Sequence, residues 1–292
     1  RLYYLNAPSA WNSAQHPGQA RSEASADSTR PIPIYTDATG SYSVINNQKI
    51  YGVARDVVYT DMGGRSTYYG LSINLQKERA DDNYSFRLIY TLSSLRNNTE
   101  DVNFRAQDGN NYGAEWGPSI NDRRHIINAI FNYFPVRSLT LTIAALLQSG
   151  QPINRVPDAN NFVVVDNEGN PVLDNNGNVQ HSNDLNGDGN SFGAAYVGNS
   201  DRYPGASRNV DRLPWAKQFD FSAQYAFHLN KRNDQLELRM DVFNVLNTVN
   251  LSGYANNATQ SNQIQFGPVG GPIVTKNAGP PREFQFGLRY AF

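Results

Sequence analysis

The 292-residue chain has no cysteine, little charge and no long apolar run. Without Cys there is no disulfide framework, no thiolate metal site and no Cys nucleophile. Charged residues make up 17 % of the chain and the formal net charge is −1. Ordinary globular domains carry about 25 % charged residues, and nucleic-acid binders show a basic excess, so nucleic acid is not an expected partner. The longest apolar run, residues 143–147, is far short of the ~20 residues that a membrane helix needs. The sequence opens Arg1-Leu2-Tyr3-Tyr4, with neither Met nor a basic-then-apolar signal pattern, and the expectation is a processed or partial polypeptide. No segment shows a helical period, and no G-x-S-x-G or phosphate loop appears. The four His have no metal-ligand spacing, so no enzyme is expected. Asp122 and His125 are close in sequence, but they read as solvated residues at a loop end.

What the chain has in abundance is Asn, Tyr and Phe. It holds 36 Asn, 17 Tyr and 14 Phe, with 12 of the Asn between residues 151 and 200. Mean hydropathy is −0.58, yet apolar residues recur with a period of two. Tyr69, Leu71, Ile73 and Leu75 alternate with Gly70, Ser72, Asn74 and Gln76. Tyr84, Phe86, Leu88, Tyr90 and Leu92 form a second series, and Leu139, Leu141, Ile143, Ala145 and Leu147 a third. Phe219 to Phe227, Leu236 to Val242 and Phe284 to Phe292 repeat the pattern. Such alternation marks strands with one apolar and one polar face. His125 to Tyr133 is a weaker strand, apolar in part on both faces, and Ile50 to Tyr59 a doubtful one. Residues 1–48, with Pro8, Pro17, Pro31 and Pro33, read as an extended or loop segment, and residues 49–292 hold the strands.

Connections between the strands alternate between short and long. Residues 77–83, 135–138 and 230–234 are short; 96–123, 149–214 and 247–281 are long. Short turns at one end and long loops at the other describe an up-and-down outer-membrane barrel. Glu237, Arg239 and Asp241 share one face, and an Arg or Lys facing mid-bilayer lipid costs ~2–4 kcal/mol. That face is therefore assigned to the lumen, and Leu236, Leu238, Met240 and Val242 to lipid. Aromatics near strand ends, among them Tyr68, Tyr133, Phe134 and Trp215, fit interfacial girdles. A soluble β-sandwich also alternates, but its strands run ~5–6 residues and several of these are longer. The lumen charges Arg87, Asp220, Glu237, Arg239, Asp241, Glu283 and Arg289 are expected to pair with one another or with a plug.

Several motifs resemble the Oar-like group of TonB-dependent outer-membrane receptors. They are Gly63-Gly64-Arg65-Ser66-Thr67-Tyr68-Tyr69-Gly70-Leu71, Tyr90-Thr91-Leu92-Ser93, Asn121-Asp122-Arg123-Arg124-His125 and Ser149-Gly150-Gln151-Pro152. Asp184-Leu185-Asn186-Gly187-Asp188-Gly189, Arg208-Asn209, Asp241-Val242-Phe243-Asn244-Val245-Leu246-Asn247 and the closing strand follow in the same order. The resemblance implies the last seven or eight strands of a plugged barrel of about 22 strands, with outer-membrane lipid, the remaining barrel and plug, and the TonB complex as partners. It also implies that Phe284, Phe286, Leu288, Tyr290 and Phe292 form an outer-membrane insertion signal. The alternative function is a free-standing eight-stranded outer-membrane barrel that acts as an adhesin or surface-binding protein.

One segment carries metal chemistry. Asp184, Asn186 and Asp188, followed by Gly189, place oxygens at positions one, three and five of a calcium-type loop. The carboxylate expected at position twelve is Ala195. The competing reading of residues 184–190 is an Asx-rich turn without metal. Asp166-Asn167-Glu168-Gly169-Asn170 and Asp174-Asn175-Asn176-Gly177-Asn178 read as hairpin turns.

Overall fold

The computed structural model describes residues 1–102, 104–157, 162–189, 201–229, 234–250, 263–266 and 279–291. Seven long strands form one antiparallel sheet. They are β1 (Ser66–Lys77), β2 (Tyr84–Asn97), β3 (His125–Val136), β4 (Leu139–Gln148), β5 (Ala216–His228), β6 (Gln235–Phe243) and β7 (Glu283–Ala291). Each pairs with its neighbour in sequence. The eighth strand of the sheet is only the dipeptide Gly117–Pro118, paired to the end of β2. The longest strand has 14 residues and the shortest nine, which suits a tilted membrane-crossing strand of about 9–11 residues. Among the described residues β1 and β7 each have a single partner strand, so the sheet is open at both edges.

Register turns the alternation of each strand into rows that cross the whole sheet, because paired residues project to the same side. One row runs Phe86, Phe131, Ile143, Phe221, Val242, Phe284. The next apolar row runs Tyr84, Tyr133, Leu141, Ala223, Met240, Phe286. Between them, on the opposite face, lie Ser85, Asn132, Thr142, Ser222, Asp241 and Gln285. Among the described residues most of these apolar side chains are uncovered: Phe286 is 74 % exposed and Leu288 71 %, while Val242 is buried among its neighbours. In water this face would be a severe liability; in lipid it is the required surface. Lys77 and Lys217 fall on the apolar face only at strand ends, opposite Phe86 and Leu147, where a long stem reaches the interface.

The polar face carries the charges. Arg239 donates to Asp241 at 3.0 Å, and Glu237 stands opposite Arg289 in register. Asp220 accepts from Gln218 and from the backbone N–H of Asn244 at 2.8 Å. The pattern in β3 is blurred because Ile126 and Ile130 sit on this polar side, Ile130 opposite Arg87 and Ala144.

The segment from Ile50 to Tyr59 adds no strand to the sheet. It divides into Gln48–Tyr51, paired with Gly40–Ile45, and Val58–Thr60, paired with Leu2–Tyr4. Arg55 falls between them and bonds to Glu23 and Asp27, which breaks the alternation. Residues 1–48 are not simply extended either. They contain the short helix Glu23–Ser28, capped by Ser22, and several short strands. Because Ser66 pairs with Asn97, the chain enters β1 at the end where the long connections lie, and residues 1–65 join those connections.

Ile143 and Ala144 are neighbours on opposite faces, which gives a direct test. Ile143→Lys should destabilise the lipid-embedded sheet by ~2–4 kcal/mol, and Ala144→Lys, beside Asp220, by less than ~1 kcal/mol. Urea unfolding in lipid vesicles measures both.

Candidate functional site

The long connections fold into a cap at one end of the sheet. Among the described residues its apolar clusters are small: Ala20, Phe162 and Leu185 with Tyr203 against them, and Phe104, Ala106 and Tyr112. Backbone pairing, as between 163–165 and 19–21, and ion pairs join the segments further. Arg202 donates through both terminal nitrogens to Glu115, at 2.8 and 2.9 Å, with both side chains buried. Arg208, fully buried, donates to Glu100 at 2.8 Å and to the Asn97 carbonyl. Arg105 pairs with Asp188 at 2.8 Å, and Arg30 with Asp27 at 2.7 Å. Each pair is also hydrogen-bonded to neighbouring groups, the condition under which a buried pair is tolerated.

Motif residues supply many of these joints. Asn209 sits at φ 53°, a left-handed conformation that Asn tolerates better than most residues; its side chain donates to the Pro118 carbonyl and its backbone N–H to Asn154. Gly150 lies so close to the 213–214 segment that a Cβ there would meet the Leu213 carbonyl at 1.6 Å, so the turn after β4 admits only Gly. Asp122 departs from its reading as a solvated residue. It is 2 % exposed, accepts from the Leu95 N–H at 2.7 Å and pairs with Arg212. His125 is likewise engaged, stacked between Tyr90 and Trp215 with its Nδ1 2.9 Å from the Tyr90 hydroxyl.

The 184–189 segment is a turn closed on its own donors. Asp184 accepts from the N–H groups of Gly187 and Gly189, at 2.9 and 2.8 Å. Asn186 Oδ1 accepts from the Asp188 N–H at 2.8 Å, and its Nδ2 donates to the Gln107 carbonyl. Gly187 has φ 73°, and a Cβ there would sit 2.8 Å from the Arg21 carbonyl, which accounts for Gly at this position. Among the described residues no group of three His, Asp or Glu is arranged to hold a metal, and Ala195 lies outside them.

Beside it, residues 162–182 form an arm with two turns of the same design. Asp166 and Asp174 each accept backbone N–H groups two and four residues on, and Gly169 and Gly177 supply the positive φ. Val164 donates to the Gln180 carbonyl, Gln180 to Val172 and Val172 back to Val164. Three segments eight residues apart thus close a ring of backbone hydrogen bonds.

Of the terminal-strand residues singled out in the sequence, Phe284, Phe286, Leu288 and Tyr290 all lie on the apolar face of β7. Phe292 falls outside the described residues.

The model of the outer membrane beta barrel domain family matches residues 2–285. The chain belongs to that family. No curated protein matches it. Membership places the chain in the bacterial outer membrane and identifies the apolar rows as the lipid surface. In such barrels short turns face the periplasm and long loops the outside, so the cap of this outer membrane beta barrel domain faces the exterior.

Buried acids shape the cap of the barrel domain. Burial pushes the Asp108 carboxyl up to about 6. Burial, with the charge of Asp188, does the same for Asp184, also to about 6. Asp201, wholly enclosed beside Asp184 and Asp188, is raised further in the same direction. Asp108, Glu100 and Glu115 escaped the sequence reading; their one signal is that Glu100 and Glu115 are the sole Glu residues between 98 and 124.

Two outcomes are expected. Glu115→Ala strands the buried Arg202 charge and should destabilise the cap by about 3–5 kcal/mol. Limited proteolysis would then cut within residues 98–124 while the strands stay protected. For the raised carboxyls the folded cap binds protons more tightly than the unfolded one. Their stabilising contribution is complete below about pH 4 and is lost as pH rises through about 6. Hydrogen exchange at residues 104–115 and 184–189 should therefore be slower at pH 5 than at pH 7.5, and Asp108→Asn should reduce the difference.

Proposed function

We propose that the chain forms the C-terminal barrel portion of a TonB-dependent transporter, which passes a large solute across the outer membrane with energy delivered through TonB. The observation that carries this reading is the open sheet. Among the described residues the seven membrane-length strands leave the outer edges of β1 and β7 without a partner strand, which lipid cannot replace, and the one further strand in the sheet is a dipeptide on β2. Strands from the rest of a larger barrel satisfy those edges. The polar face, with Arg87, Asp220, Glu237, Arg239, Asp241 and Arg289, suits a lumen filled by a plug. The motif order from Gly63 to Phe292 supports the same family within the outer-membrane barrels. In this proposal β7 also serves as the insertion signal, with Phe284, Phe286, Leu288, Tyr290 and Phe292 read by the assembly machinery. Calcium would have a place at Asp184, Asn186 and Asp188 only by exchanging with the Arg105 guanidinium and the glycine N–H groups.

The absence of native Cys in the chain makes the test clean. A Cys at Gln285 in β7, combined in turn with one at Gly70, Ser72, Asn74 or Gln76 on the same face of β1, would oxidise in one of the four pairs if the two strands met, since a disulfide needs Cα atoms about 4.4–6.8 Å apart. No disulfide is expected in any of the pairs in the outer membrane. Its formation would overturn the larger barrel in favour of a small self-closed one. Solute uptake that persists after collapse of the inner-membrane proton gradient would overturn the energy coupling.

A further inference from the structure

A cavity of about 500 Å³ opens in the cap between residues 10–14, 107–114 and 202–207. That volume suits a small solute or one extended side chain. Its wall includes the methyl groups of Ala14, Ala114 and Ala206, the amides of Asn12 and Asn111, and the carboxylate of Asp108. Arg202 also borders the cavity, but both of its terminal nitrogens are held by Glu115. Among the described residues Asp108 has no ion pair, and the one donor to its carboxylate is the Trp11 backbone N–H at 3.3 Å. Arg202 offsets part of its charge from the cavity wall without bonding to it, while Glu115 and Asp188 add to the negative potential around it.

A largely desolvated carboxylate with no ion-pair partner of its own, beside an Arg202 already committed to Glu115, is unfavourable, and a further cation relieves it. A divalent metal does not fit, because it needs six to eight oxygens and the cavity wall offers a single carboxylate. Anions are repelled, and a neutral solute leaves the charge uncompensated. The amide oxygens of Asn12 and Asn111 each accept one backbone N–H, from Ala14 and Ala114, and each keeps a second lone pair. Donors next to a cationic centre can use those lone pairs, while the alanine methyls pack on an aliphatic stem.

We infer that this cavity binds an ammonium or guanidinium group, with Asp108 as its counter-charge. The group is carried either by a free small amine or by a Lys or Arg side chain of a peptide. As a first contact for cargo the inference rests on the transporter reading, but binding is measurable without transport, so the two can fail separately.

The test is isothermal titration of the full-length protein in detergent with agmatine, with a Lys-containing tripeptide and with an uncharged analogue of agmatine in which the amine is acetylated and the guanidinium is replaced by a neutral urea. Saturable binding of agmatine or the peptide is expected, with the tighter of the two identifying the source. Asp108→Asn should weaken it about tenfold or more. Ala206→Phe, which fills the cavity and leaves every charge in place, should abolish it and guards against a folding effect of the first variant. Absence of binding by either cation, equal binding of the uncharged analogue, or unchanged affinity in both variants would overturn the inference.

Discussion

Everything in this molecule follows from the absence of water in the bilayer. A strand that crosses lipid must give every backbone N–H and C=O to a neighbouring strand, and it must turn a different chemistry to each side. The register meets both demands at once. Each apolar row, such as Phe86 to Phe284, is continuous over six strands, and each polar row lies between two of them. A slip of one residue in any pair would exchange the rows and put Asp241 or Arg239 into hydrocarbon. The hydrogen-bond ladder and the side-chain pattern therefore enforce the same alignment. Among the described residues the ladder ends at β1 and β7 while the side-chain pattern continues, which leaves outer backbone groups that hydrocarbon does not satisfy.

The cap obeys the opposite rule. It stands in water, holds few apolar residues and is joined by Arg–carboxylate pairs between connections far apart in sequence, 87 residues for Glu115 and Arg202 and 108 for Glu100 and Arg208. Guanidinium forks fix direction as well as distance. They can thus set the relative placement of long loops that share only small hydrophobic clusters. The surplus of acids beside them, at Asp108, Asp184 and Asp201, is a strained element within an otherwise compensated network. Such an element is where a ligand has most to offer.

How much of this could be read in the sequence divides along the same line. A period of two is a local property, so β1, β2, β4, β5, β6 and β7 are visible in the residues themselves. β3 is less visible because Ile126 and Ile130 sit among lumen residues. The lipid assignment followed from the shared face of Glu237, Arg239 and Asp241, which needs only an energy scale. The cap was hidden because its pairs are formed by residues that nothing in the local pattern connects. Asp122 illustrates this: beside His125 it looks like a solvated loop residue, and only the arrival of Arg212 and the Leu95 N–H shows that it is enclosed. Likewise Asp184, Asn186 and Asp188 have the spacing of a cation loop, but spacing does not tell whether their oxygens face an ion or neighbouring backbone.

The ring in the 162–182 arm has a consequence of its own. Tandem units are usually the easiest part of a chain to lengthen, since one more copy simply stacks on the last. Here Val164, Val172 and Gln180 donate in a circle, so the third unit returns to the first and no position is left for a fourth. Duplication or loss of eight residues would open the circle and expose edges that now satisfy each other. The arm is therefore fixed in size by its own closure, and growth or shrinkage of this surface over evolution is directed to the connections beside it.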